Sequence, residues 1–551
     1  MIKAGRNNKR YVILFFLVLA LVFVRFCYYG FEYYYQLDDY IQYHNYMARD
    51  VPLPGLIMNL GMLAARPLAG LADILVWTKF FPIMIVAVFI LSAMFAASAC
   101  FFHKVWSRHF GTGMLFIIIY ALLPLGMEGT YWVSASSRVI SGLFFSSIAL
   151  YTFYKWCYAG KKRMLVIYAL SQLLAYGFYE QALVFSFVAT IIVALLNYKE
   201  GRSRVLWGGV SIINCGIYFA VTSIFANSAL YSGRMWLMLP ITRHYWTEFF
   251  PDSAKQVWQA FFGGGFSILA KGFVRGIKIM LGDLNIIYLA AVLALAVFVF
   301  FMAKTLNKKR RKNDNMKSGK VALLIGAVLA LAPVALFFLI GNPWFSLRGT
   351  VMSFCGIALF ADALVMVCLG RLHARKMITA TVCTVLAVIF CVSSISEIHD
   401  YKKTTEFDQS VLAVLSDKLK EEGYINQEVK IGIIGLQPSA LEDQNYLYHE
   451  HIHGITESAW ALSGGLEWYN KQNVAPAVVP LPQGLIYERW NFEERDPGSF
   501  DVLYLFDGES VLTPVTLEAV GAGEYSIALF SGVSIGRIWE EDSTGYLEIY
   551  A

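Results

Sequence analysis

Residues Met164–Asn197 read MLVIYALSQLLAYGFYEQALVFSFVATIIVALLN, an apolar run whose one break is Tyr179-Glu180-Gln181. A helix of about 20 residues crosses a hydrocarbon core of roughly 30 Å. The run is too long for one upright span and just long enough for two short ones, so it reads as a helical hairpin with Tyr179-Glu180-Gln181 at its outer turn. A single long tilted helix is the alternative. It would reverse the side of every later loop, because each span crosses once.

Working outward from this hairpin, Lys and Arg gather in six places: the N-terminus (Lys3, Arg6, Lys9, Arg10), His103–Arg108, Lys161–Arg163, Lys199–Arg204, Lys304–Lys320 and Arg371–Lys376. Short loops rich in these residues stay on the cytoplasmic side. Placing all six there requires about eleven transmembrane helices, near 11–29, 80–101, 111–126, 139–158, 164–178, 182–197, 205–226, 285–303, 321–341, 349–369 and 377–394. The expectation is an α-helical polytopic protein of the plasma membrane with a cytoplasmic N-terminus. An odd number of spans leaves the tail outside. The first apolar run has no small-x-small cleavage site before Tyr28 and reads as a retained span.

Composition agrees with this class. The 551 residues are 58% hydrophobic and 15% charged, against roughly 25% charged in soluble domains. Up to Ser394 there are 36 Lys and Arg against 13 Asp and Glu, a formal +23; beyond it there are 9 against 26, or −17. The basic portion follows from topology and does not require a nucleic acid partner. The chain therefore divides into a membrane domain, 1–394, and an acidic, water-facing domain, 395–551. All eight cysteines lie in or beside apolar runs and read as small apolar packers.

Three outer segments are long enough to hold chemistry: 30–79, 126–138 and 227–283. Within the first, Leu56–Leu75 is amphipathic and suits the interface. The tail opens with a helical pattern at Phe407–Leu419 and continues with strand-like runs at Val429–Leu436, Val502–Phe506 and Tyr525–Ile535, the pattern of a small α/β domain. No internal repeat is present.

Leu37-Asp38-Asp39-Tyr40 follows the first span within an aromatic patch. Adjacent carboxylates at a membrane surface repel each other, so one is held ready to take a proton; a helix cap or solvated loop is the simpler reading. Arg66, Arg138, Arg234, Arg243 and Arg348 all fall on the outer side. Singly, each suits an anchor reaching to head groups. Together they point to an anion, since a guanidinium fork grips phosphate oxygens and stays charged. Glu180 is a carboxylate within an apolar run, which is costly and usually functional, although a hairpin tip wetted by solvent would also hold it. Asp362 falls toward the cytoplasmic half of its span, away from these groups. In the tail, His449, His451 and His453 would share one face of a strand and invite a metal, without a second ligand cluster to support it. Trp460 and Trp468 are large enough to stack on a sugar ring or to pack a core.

Asp38-Asp39 just after the first span resembles the signature of GT-C superfamily membrane glycosyltransferases. Followed by Arg66-Pro67-Leu68, it resembles more narrowly the first outer loop of bacterial Gtr-type O-antigen glucosyltransferases, where Gly-Arg-Pro-Leu follows an acidic pair; here Ala65 stands in place of the Gly. A second outer loop with Glu128, Tyr131 and Trp132 is similar in outline. The resemblance spans about the first 400 residues and rests on few positions. It implies transfer of a hexose from a polyprenyl-phosphate donor to a cell-envelope glycan or lipid-linked acceptor.

On that reading Asp38 or Asp39 is the base, assisted by Glu180, while Arg66, Glu128, Trp132, Arg138, Tyr179, Gln181 and Arg348 bind substrate, with Arg348 the first choice for phosphate. Arginines alone serve a monophosphate donor; a pyrophosphate would call for a divalent cation, Mg or Mn. No nucleotide-phosphate loop is present, which argues against direct use of a nucleotide sugar. A transporter, flippase or polymerase of envelope polysaccharide is the alternative, for which mid-membrane ionisable groups and matched broken spans would be expected.

Overall fold

The computed structural model describes residues 2–41, 43, 46, 52–58, 65–199, 201–224, 237–306, 315–341, 345–369, 375–437, 452–488 and 492–550. The chain forms two compact units, one from described residues within 1–33 and 53–398, the other within 34–52, 399–443 and 452–551.

The first unit is helical. Among the described residues eight helices are long and apolar enough to cross a membrane: Trp77–His109, Val133–Ala159, Glu180–Asn197, Arg202–Ile224, Ile286–Leu306, Ser318–Phe338, Leu347–Leu369 and Lys376–Glu421. Helices also occupy the three other expected positions, at Ile2–Val24, Met114–Leu122 and Lys162–Phe178. The last two are shorter than a full crossing requires.

Burial sorts these helices. The most apolar window of Val133–Ala159 is 78% buried, whereas those of Arg202–Ile224 and Ser318–Phe338 are 28% buried. The first carries Ser134, Ser136, Ser137, Ser141, Gly142, Ser146 and Ser147, small residues that let neighbouring backbones come close where apolar side chains gain nothing over lipid. The same device joins Asn315–Leu331 to Phe354–Leu369: a Cβ on Gly356 would collide with the backbone of Leu329 and Ala330, and one on Gly326 would lie 2.6 Å from the Phe360 nitrogen. The outer helices turn large apolar residues such as Ile287, Leu206 and Leu324 outward, as lipid-facing surfaces do.

Tyr179, in extended conformation, separates Lys162–Phe178 from Glu180–Asn197, so the 164–197 run is two helices rather than one. Asp362 is buried, and both its oxygens accept from the Gly113 amide, at 3.3 and 3.4 Å, at the start of the Met114–Leu122 helix. This carboxylate satisfies an orphan N–H and complements the positive end of that helix.

The expected last span, 377–394, does not stop there. One helix runs from Arg375 to Glu421, and the division between units falls within it, after Ile398. No Gly or Pro occurs along it to break it. It ends at Gly423, whose positive φ of 77° suits a helix terminus, with the Gly423 amide donating to the Lys420 carbonyl.

The second unit is β-rich, and the expectation of a small α/β domain holds only for part of it. One eight-stranded sheet has the order β2-β1-β4-β5-β6-β7-β8-β3, where β1 is Lys430–Ile434, β2 Ala477–Leu481, β3 Gly484–Tyr487, β4 Val502–Phe506, β5 Leu512–Gly521, β6 Glu524–Leu529, β7 Ser534–Glu541 and β8 Thr544–Ile549. β2, β1 and β4 are parallel, and the helix Ala459–Asn470 lies between β1 and β2 in the chain. From β4 onward all pairing is antiparallel. The expected single strand Tyr525–Ile535 is two, β6 and β7, parted by a turn at Gly532 with φ of 80°. Ile434, Val479, Leu481, Ile486, Leu503, Val515, Ile527, Ile538 and Leu547 form the core.

Two prolines explain strands that the sequence hides. Pro480 is in β2, at an edge of the sheet, where a missing N–H leaves no bond unmade. Pro514 pairs with Tyr504 on one side, and the β6 ladder on its other side begins only at Val515.

Candidate functional site

In the helical unit three of the five expected arginines, Arg66, Arg138 and Arg348, are each held by a carboxylate. Arg66 precedes Pro67, whose ring opens the helix Pro67–Leu75. Its Nε and Nη2 donate to the two oxygens of Glu180, at 2.6 and 2.5 Å, a bidentate fork. Glu180 begins its own helix, where a negative charge is favoured by the helix dipole. The Arg66 guanidinium also lies 4.5 Å from the centroid of the Tyr179 ring. With both oxygens occupied, Glu180 is arranged to orient a guanidinium.

Arg348 belongs to a second assembly. Glu128, almost fully buried, accepts from the Arg348 amide at 2.9 Å and the Ser346 hydroxyl at 3.2 Å, and pairs with Arg348 Nε at 3.4 Å. A Cβ at position 129 would lie 3.1 Å from the Arg348 Cα, so Gly129 is what lets the Arg348 backbone come this close to the 126–130 turn. Gln181 binds the same region, its Nε2 donating to the carbonyls of Gly349 at 3.2 Å and Pro333 at 3.1 Å.

These assemblies form one network. Tyr179 lies within electrostatic range of Arg66, Glu180, Arg348 and Glu128, and Glu180 within range of both arginines. Arg138, in the first turns of Val133–Ala159, donates to Asp73 Oδ2 at 3.2 Å and to Ser134 Oγ at 3.5 Å. Trp132 is buried at the start of that helix, which makes it a packing residue rather than an open stacking surface. Arg243 is exposed, and Arg234 lies outside the described residues.

Asp73 is the functional-type residue the sequence reading missed. It falls seven residues after Arg66, two helical turns, and so on the same side of its helix. The reasoning that singled out Glu180, a carboxylate in an apolar stretch, would have found it within Leu56–Leu75.

Asp38 and Asp39 belong to the second unit. Asp39 is fully buried; its Oδ2 accepts from the Gln36 amide at 3.0 Å, and its own amide donates to the Gln36 carbonyl at 2.8 Å. This reciprocal pair closes the turn. The turn is fixed within its unit by Leu37, whose amide donates to the His453 carbonyl, and by Gln36, whose Oε1 accepts from the His453 amide. Asp38 is half-buried and is the member of the pair open to a ligand.

His453 Nδ1 contacts Glu457 at 2.8 Å, while His449 and His451 lie outside the described residues. No three His, Cys, Asp or Glu side chains converge as a metal site among the described residues. Trp468 is flanked by Tyr43, at 5.4 Å between centroids, and by the Lys471 ammonium, 3.6 Å from its ring. Those contacts explain Trp468 as a packing residue. No protein-family model, curated protein or solved structure matches this chain.

Proposed function

We propose that this chain is a GT-C-like membrane glycosyltransferase, with eleven spans, a cytoplasmic N-terminus and an extracytoplasmic tail, acting at the outer face of the plasma membrane. The observation that carries this reading is the set of Arg66, Arg348 and Arg138, each held by a carboxylate and each partly exposed, in a helical unit of mostly apolar residues. Guanidinium groups set in place before the substrate arrives suit a phosphate whose charge grows during reaction, since no reorganisation is needed at that moment.

The donor is a hexose on a polyprenyl phosphate, and the acceptor is a hydroxyl of an envelope or lipid-linked glycan. The acceptor oxygen attacks the anomeric carbon and gives its proton to a carboxylate base, the role that the GT-C resemblance implies for Asp38 or Asp39. The bond from that carbon to the phosphate oxygen breaks, and the lipid phosphate leaves with the electron pair, its new charge held by Arg348 and Arg66. Asp39 shapes the turn that presents Asp38. A monophosphate donor requires no metal beyond these cations, whereas a pyrophosphate donor would add Mg or Mn.

The test uses membranes containing the protein and a labelled polyprenyl-phosphate hexose. Asp38→Asn should lower transfer at least about a hundredfold, the scale of general-base catalysis. Arg348→Ala should raise KM for the donor more than for the acceptor. Undiminished transfer by Asp38→Asn, or donor and acceptor affected alike by Arg348→Ala, would remove these assignments.

A further inference from the structure

In the β-rich unit the ladder between β4 and β5 ends at the pair Leu503–Val515, while β5 continues to Gly521 paired with β6 alone. Where the ladder ends there is a cavity of about 600 Å³, within the roughly 300–1,000 Å³ of small-molecule sites. Five aromatic residues line it: Tyr424, Phe500, Tyr504, Tyr525 and Phe530. Phe530, in the β6–β7 turn, is 76% exposed, more than packing of this unit explains.

The polar lining is acidic or neutral. Asp501 is exposed, with one oxygen accepting from the Lys430 amide at 2.8 Å. Glu422 accepts from the Tyr504 hydroxyl and pairs with Lys418 at 2.6 Å. The nearby cations do not face the cavity: Lys418 pairs with Glu422 from behind the lining, and Lys430 donates to the Ser499 hydroxyl and the Glu493 carbonyl, above the Phe500 ring, which leaves Asp501 the one lining carboxylate without a cation at its side. Among the described residues no Lys, Arg or His lines the cavity. Such a surface offers no cation to a phosphate or carboxylate, and it favours a ligand that donates hydrogen bonds and presents apolar faces.

A sugar ring has both properties, with C–H faces for aromatic rings and hydroxyls for carboxylates. We propose that this cleft binds a short stretch of uncharged or amino-sugar glycan. Its assignment as the place that holds the acceptor chain, away from the reacting end, rests on the glycosyltransferase reading; glycan binding itself does not.

The experiment measures binding of neutral tetrasaccharides of glucose and of N-acetylglucosamine to the detergent-solubilised full chain by saturation-transfer NMR and calorimetry. At least one should bind, and Phe530→Ala should weaken it about tenfold through loss of one stacked ring. In transfer assays Phe530→Ala should raise KM for a long acceptor and leave that for a monosaccharide acceptor unchanged. Binding lost in Phe530→Ala upholds the cleft even if the parent transfers no sugar. No tetrasaccharide binding, equal binding by parent and variant, or occupation of the free β5 edge by an extended peptide that sugar does not displace overturns it, whether or not transfer is observed.

Discussion

The three arginine–carboxylate pairs of the helical unit and two surface pairs of the β-rich unit, Arg537–Glu548 and Lys403–Glu406, are built on different terms. In Arg66–Glu180, Arg138–Asp73 and Arg348–Glu128 no side chain is more than 21% exposed. In Arg537–Glu548 the side chains are 44% and 45% exposed, and in Lys403–Glu406 they are 51% and 49%. Exposed pairs are screened and contribute little. Pairs taken out of water lose hydration that their mutual attraction only partly returns, so they are weak evidence for stability. Their presence in an apolar bundle therefore asks for a functional reason, which the surface pairs do not.

The largest expected effect breaks this contrast most directly. Glu180→Ala leaves Arg66 without its fork and should destabilise the detergent-solubilised protein by roughly 3–5 kcal/mol, as for loss of one partner of a buried pair. Replacing both, Arg66→Met with Glu180→Leu, should cost clearly less than the two single changes summed. Strict additivity in thermal melts would mean that the pair is not coupled. Next in size is the acidic turn. Asp39→Ala removes a buried acceptor and should cost about 1–3 kcal/mol, whereas Asp38→Ala should stay within about 0.5 kcal/mol; equal costs would contradict the division of roles between them.

The smallest effect concerns Glu422. Burial works against its ionisation, but the Lys418 ammonium and the Tyr504 hydroxyl outweigh it and hold the group below the ordinary carboxylate range. A carboxylate shifted this way contributes stability above its unfolded value, about 4.3, and loses it as pH falls through the lower folded value. The melting difference between parent and Glu422→Gln should accordingly be present at neutral pH and shrink below about pH 4. A difference constant down to pH 2 would assign the effect to packing.

The helical unit was largely legible because hydropathy and charge act over whole segments. Each expected span position carries a helix, and the break at Tyr179 lies beside Glu180, the one charged residue of the 164–197 run. What stayed hidden depends on single partners. Arg66 was visible as a candidate, but its engagement by Glu180, 114 residues away, was not. Asp39 and Asp38 are equivalent in sequence, and only the reciprocal bonds to Gln36 separate a turn-closing residue from an available one. In the β-rich unit, β2 and β5 were lost because proline argues against a strand unless its free side is known, and that is decided by neighbours distant in the chain.

Glu128 holds the Arg348 amide as well as its side chain. The shape of that loop is therefore anchored through the main chain, and the identity of residue 348 can change without the loop losing its hold. A neutral residue there would keep that main-chain hold and yet leave the buried Glu128 without its cation, so the shape of the loop and its charge balance can be lost separately.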